Sequence, residues 1–269
     1  MVCVVGNSFV YYGGCVINGD QRYLDKGLLK RVFDSNGIDA QIYDCTYGGH
    51  HLYDFTPAGC KSTNKHGADG KVPSSGCNGI GFDLLSDMNL EDFDVVFFSE
   101  SGDNFDDFLN YCKDVMVRFT NPNVQFIYLA HSYTYDKNHT SIINALPDLR
   151  QMKVKTVEWG KLVYDIWKGK TVVPNTSLVF NKNTFIKNGS DNFHPNPLSG
   201  YITAQMAYCA YSGNSALGQN YSFCHDVMNF DEFITNQYKI GQTTNFKSVF
   251  ADESTMTELQ RLMDVYLKY

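Results

Sequence analysis

No stretch of this chain approaches the roughly 18 uninterrupted apolar residues that a membrane-spanning helix needs, so no span is expected. Positive charge is scarce as well: 22 Lys and Arg stand against 29 Asp and Glu, a formal net charge of −7. No basic cluster overrides that total, and nucleic-acid phosphates demand a basic face, so a nucleic-acid partner is not expected. Charge of either sign is thin at 19% of residues, while 43% are apolar, a balance that excludes a disordered chain. Internal repeats and linker-like composition are also missing. The 269 residues therefore read as one domain over 1–269, large enough to bury a full core.

No leader signal is read at the first residues. Met1-Val2-Cys3-Val4-Val5 reads as a buried strand, with no charged n-region, apolar h-region or cleavage site before it. The expectation is either a cytoplasmic protein or one whose leader has been removed. Cysteine usage weighs toward the second, secreted or periplasmic, reading. There are eight cysteines, and Cys60 and Cys77 bracket a polar loop with little apolar content of its own, where a disulfide fits. Eight mostly buried thiols in a reducing compartment are the other reading. Asn138, Asn175, Asn188 and Asn220 open glycosylation tripeptides, which an Asn-rich chain also produces by chance.

What is present is an alternation of short apolar runs with longer amphipathic stretches, which predicts a parallel sheet covered by helices. The runs at 2–5, 40–43, 94–98, 125–130 and 177–180 read as strands. Helices are expected over 22–35, 105–119, 142–167, 198–211 and 255–268. Residues 56–81 are too long and polar for a tight connection and read as an insertion over one sheet edge.

Open α/β sheets gather functional groups at the carboxyl ends of their strands, and four polar segments fall there. Gly6-Asn7-Ser8-Phe9 follows the first strand. A serine on a strand-to-helix turn exposes its hydroxyl and aims its own N–H at a developing oxyanion. On its own the same serine reads more commonly as a cap of the next helix. It is not the Gly-x-Ser-x-Gly elbow, because Val10 stands at the second glycine position. Tyr47-Gly48-Gly49-His50-His51 follows the second strand, where paired glycines either offer an N–H to a substrate or simply turn the chain. Ser101-Gly102-Asp103-Asn104 follows the third, where Asn104 either donates into the same pocket or caps a helix.

Asp191-Asn192-Phe193-His194-Pro195 comes last. An Asp three residues before a His orients the imidazole through one nitrogen and leaves the other facing a serine hydroxyl, which needs such a base; a surface turn is the alternative. Gly48, His50 and His131 complete the candidate substrate-binding set, with His131 also readable as a hydrogen-bonded structural residue. Tyr11 and Tyr12 read as a substrate wall or as core. His50, His51 and His66 lack the ligand spacing of zinc motifs, so neither a metal nor another cofactor is expected.

Taken in order, the four segments resemble the SGNH hydrolase superfamily, the GDSL-type esterases and lipases. Its first block is usually Gly-Asp-Ser followed by an apolar residue; here Asn7 replaces the Asp. The resemblance implies Ser8 as nucleophile with Asp191 and His194 as the rest of a triad. It implies an oxyanion hole made of the Ser8 N–H, a glycine N–H (Gly49 favoured over Gly48) and the Asn104 side chain. Phe105 departs from the third block, where that family commonly has Asp. The match runs from residue 6 to about 218, and His194-Pro195-Asn196-Pro197-Leu198-Ser199-Gly200-Tyr201 with Ser212-Gly213-Asn214 is similar to bacterial members. The implied fold is a flavodoxin-like three-layer α/β/α sandwich with a five-stranded parallel sheet. The implied activity is hydrolysis of a carboxylic ester, a short acyl or acetyl ester of a small molecule or carbohydrate. An acyltransferase or thioesterase using the same triad and a non-catalytic binding module are the alternatives. No residue fixes the acyl chain, the alcohol or the oligomeric state.

Overall fold

The structure, a computed structural model, describes residues 1–16, 27–46, 49–56, 89–100, 107–186, 193–224 and 246–267. Its strands are β1 (Val2–Gly6), β2 (Ile42–Thr46), β3 (Val95–Phe98), β4 (Gln125–Leu129) and β5 (Lys155–Val157). They pair in the order β2-β1-β3-β4-β5, every pairing parallel. This is the flavodoxin-like order, and the chain reverses its direction of travel across the sheet at β1 and β3. Val5 sets the register on both sides, opposite Cys45 and opposite Phe98.

The described helices are α1 (Ser8–Tyr11), α2 (Leu28–Ser35), α3 (Phe108–Met116), α4 (Ser132–Asp136), α5 (Thr140–Gln151), α6 (Trp159–Trp167), α7 (Lys182–Phe185), α8 (Pro197–Ser212), α9 (Phe246–Phe250) and α10 (Glu253–Tyr266). Strand side chains alternate between two cores, as a period of two requires. Val2, Val4, Val95, Phe97, Ile127 and Leu129 pack under α2, α6, α8 and α10. Cys3, Val5, Val96, Phe98 and Tyr128 pack under α3 and α5. The sheet is thus buried on both faces, which is why its strands read as near-continuous apolar runs. Helix α8 is enclosed all round, from Leu198 through Ala210, and carries no polar stripe.

Two expectations are corrected. The single helix over 142–167 is two helices with β5 between them. Lys153 takes φ 62°, outside the helical region, and Thr156 and Val157 bring β-branched side chains into the buried edge position. The run at 177–180 is not a strand. Leu178 and Phe180 lean on the core while Val179 is 77% exposed, an alternation that imitates a strand without pairing.

Six cysteines, Cys3, Cys15, Cys45, Cys112, Cys209 and Cys224, are free and buried. Cys60, Cys77 and the expected insertion beyond Thr56 lie outside the described residues. Among the described residues, no helix is long and apolar enough to cross a membrane.

Candidate active site

β1 ends at Gly6 on the carboxyl edge of the sheet, beside the switch in strand order. Asn7 follows in extended backbone, and its Oδ1 accepts the Phe9 N–H at 3.1 Å to start α1. The cap is therefore Asn7, not Ser8, and the Ser8 hydroxyl is left for another partner. It lies 2.7 Å from Nε2 of His194, 186 residues along the chain. The Ser8 N–H sits at the first helical position, where a helix leaves its amides without intrahelical partners, and no described residue accepts from it.

His194 is held by its successors. Pro195 bridges to Ile186, and the Asn196 N–H donates to Phe185 O at 3.0 Å. Asn196 Nδ2 donates to Thr184 O at 2.8 Å, while its Oδ1 caps α8 through the N–H groups of Leu198 and Ser199. Pro197 occupies the first helical position, where its missing N–H costs nothing. The segment after Ser8 then lies backbone to backbone on α8. A Cβ on Gly13 would fall 2.3 Å from Asn196 O, and one on Gly200 would fall 2.0 Å from Gly13 O. This close approach packs the segment that carries Ser8 against the helix that follows His194.

Aromatic rings fix the plane of the imidazole. Tyr12 stacks on His194 with centroids 4.2 Å apart, and Phe193 and Phe9 approach at 4.3 and 5.2 Å. Of the tyrosine pair, Tyr12 thus reaches the site while Tyr11 is buried in the core. Phe9 in turn stacks flat on His131, 4.0 Å away and 7° from parallel.

His131 has no exposed surface. Its Nδ1 accepts the Thr134 N–H at 3.3 Å, capping α4, and its Nε2 lies 2.5 Å from Glu100 O. Burial pushes its pKa down to about 3, against the opposing pull of the Glu100 carbonyl and with help from His139 and His194. The ring is neutral with its proton on Nε2. Of its two sequence readings, this geometry is the structural one: His131 supports Phe9 from below.

The chain after β2 is tied to the Ser8 turn. Asn7 Nδ2 donates to His50 O at 3.0 Å, and the buried His50 ring meets Phe55 edge-on. Gly49 just before it is exposed and takes φ +74°, a left-handed turn that glycine adopts without strain. His51 Nδ1 lies 2.7 Å from Glu100 Oε1, and the His51 N–H donates to Asp54 Oδ2. Glu100, directly after β3 and Ser99, is the site residue that sequence reasoning missed. Its sequence signal is an acid at the carboxyl end of a buried strand, where a carboxylate enters the interior only with partners.

Ser8, His194, Gly49, His50 and His131 are therefore placed along one edge of the sheet. Gly48, Asn104, Asp191 and His66 lie outside the described residues. Among the described residues, no group of three or more His, Cys, Asp or Glu could hold a metal ion. No family model, curated protein or solved structure matches this chain.

Proposed function

We propose that this chain hydrolyses carboxylic esters, with Ser8 as nucleophile and His194 as its base. One observation carries the reading: the 2.7 Å approach of Ser8 Oγ to His194 Nε2 at the switch point of a parallel sheet. The order of segments that resembles SGNH hydrolases supports it, and implies Asp191 as the third member of the triad and Asn104 as a donor to the oxyanion. The substrate proposed is a short acyl ester of a small molecule or carbohydrate.

His194 Nε2 takes the Ser8 hydroxyl proton as Oγ bonds to the ester carbonyl carbon. The resulting oxyanion faces the Ser8 N–H, the Gly49 N–H and the Asn104 amide. Collapse breaks the bond to the alcohol oxygen, which receives the proton from His194 and leaves. Water then attacks the acyl-Ser8 carbonyl, giving a proton to His194. The second collapse frees the acid and returns that proton to Ser8.

Hydrolysis of a short-chain nitrophenyl ester tests this. Ser8→Ala and His194→Ala are expected to lose about 10³-fold or more in rate, and a fluorophosphonate probe is expected to label wild-type protein but not Ser8→Ala. Full activity in either variant overturns the pair. Asn104→Ala is expected to cost about 10²–10³ in rate as a hole donor, and almost nothing as a cap.

A further inference from the structure

Glu100 is a hub at the carboxyl edge. Its side chain is wholly buried, and both carboxylate oxygens are used: Oε1 against His51 Nδ1 at 2.7 Å, Oε2 against the Leu52 N–H at 2.8 Å. Its own carbonyl accepts the hydrogen bond from His131 Nε2–H. One residue after β3 thus ties down the chain after β2 and the chain after β4. An ionised Glu100 only accepts, and against it Nδ1 of His51 carries the ring proton. Residues 50 to 52 are consequently held at four points: His50 O by Asn7, His51 N–H by Asp54, and the His51 ring and Leu52 N–H by Glu100. Gly49, in its left-handed turn, enters this clamp directly.

We propose that Glu100 is a positioning residue that holds the turn at Gly49 in place, so that the Gly49 N–H faces the carbonyl under attack by Ser8. The inference rests on the proposed ester hydrolysis for its kinetic consequence, but not for its structural one. A turn of glycine has no side chain to anchor it, and an exposed glycine N–H is a useful donor only when its neighbours fix its direction. Glu100 supplies that fixing from the interior. It touches no reacting atom.

Two substitutions separate positioning from mere support of the fold. Glu100→Ala removes both acceptors. Glu100→Gln keeps one acceptor for Leu52 and presents an N–H to His51 Nδ1, which accepts it once the ring proton moves to Nε2. Glu100→Ala is expected to lower kcat on a neutral nitrophenyl ester about 10²-fold while KM stays within about twofold. Glu100→Gln is expected to recover most of that loss, within about fivefold of wild type. The ¹⁵N resonance of the Gly49 amide in the full chain is expected to move in Glu100→Ala and to hold its place in Glu100→Gln.

The proposal is overturned by an unmoved Gly49 resonance in Glu100→Ala, by unchanged kcat in that variant, or by Glu100→Gln falling as far as Glu100→Ala. Where Glu100→Ala does not fold, His51→Leu removes one arm and leaves the Leu52 arm, and the Gly49 resonance is read there with the same two outcomes. Ester hydrolysis that survives Ser8→Ala defeats the proposed function instead. The amide shift then still decides the role of Glu100.

Discussion

Asn7 uses both halves of its amide: Oδ1 accepts the Phe9 N–H, and Nδ2 donates to His50 O at 3.0 Å. An Asp at this position, the residue usual in the family the chain resembles, would keep the cap and lose the donor. Asn7 is fully buried, so an ionised carboxylate would face the His50 carbonyl without water to separate them. Asn7→Asp is therefore expected to cost about 1–3 kcal/mol at neutral pH. The deficit relative to wild type at the same pH should shrink in acid, where the protonated carboxyl donates in place of the amide. Urea unfolding at two pH values checks this, and a deficit that does not change with pH overturns it. The departure at Asn7 was legible in the sequence; its reason was not, because the partner lies 43 residues away in the chain. Ser8 and His194 are further apart still, yet their pairing was legible, since a serine nucleophile demands a base and few segments offer one. Nothing comparable demanded Glu100, whose worth comes entirely from the two donors that the fold brings to it.

Elements are held to one another at the site by backbone contact as much as by side chains. Gly200 lies inside α8, where Ala would normally stabilise the helix by about 1 kcal/mol. Here the new Cβ would lie 2.0 Å from Gly13 O, and neither side can yield by rotating a side chain. The clash outweighs the propensity gain. Gly200→Ala is expected to push the Ser8 segment off α8, lowering both kcat and the rate of fluorophosphonate labelling about 10²-fold, as a displacement near 1 Å does. Equal labelling rates in the two proteins would show that this contact does not set the Ser8–His194 distance. Most elements were legible because the sheet is covered on both faces and its strands are short apolar runs between amphipathic stretches. β5 was not. It is three residues long, follows α5 after a three-residue turn, and shares its apolar content with the helices on either side. The run at 177–180, alternately exposed and half-buried, offered a better strand pattern than the true edge strand did. Pattern reports which side chains face a core, and here the core contact came without pairing.

Across the whole molecule, two buried groups bend stability in opposite directions with pH. Asp44 in β2 is held by the N–H and hydroxyl of Thr46, but burial prevails and pushes its pKa up to about 7. A raised carboxyl binds its proton more tightly in the folded state. Its contribution is complete below about pH 4 and is lost as pH rises toward 7, at about 1.4 kcal/mol per unit. His131, pushed down to about 3 by burial, does the reverse. It is neutral in the fold and charged in the unfolded chain below about pH 6.5, so its contribution is present above that value and is lost as pH falls toward 3. Between about pH 4 and 6.5 the two slopes have equal size and opposite sign, and these groups together leave stability nearly level. Removing either unmasks the other. Asp44→Asn is expected to make stability rise with pH across that window by about 1.4 kcal/mol per unit relative to wild type. His131→Gln, which retains an acceptor for Thr134 and a donor for Glu100, is expected to make it fall by the same amount. Denaturant unfolding at three pH values between 4.5 and 6.5 reads both slopes. A wild-type slope retained in Asp44→Asn would mean that this carboxyl is ionised in the folded protein, with its burial offset by the two Thr46 hydrogen bonds.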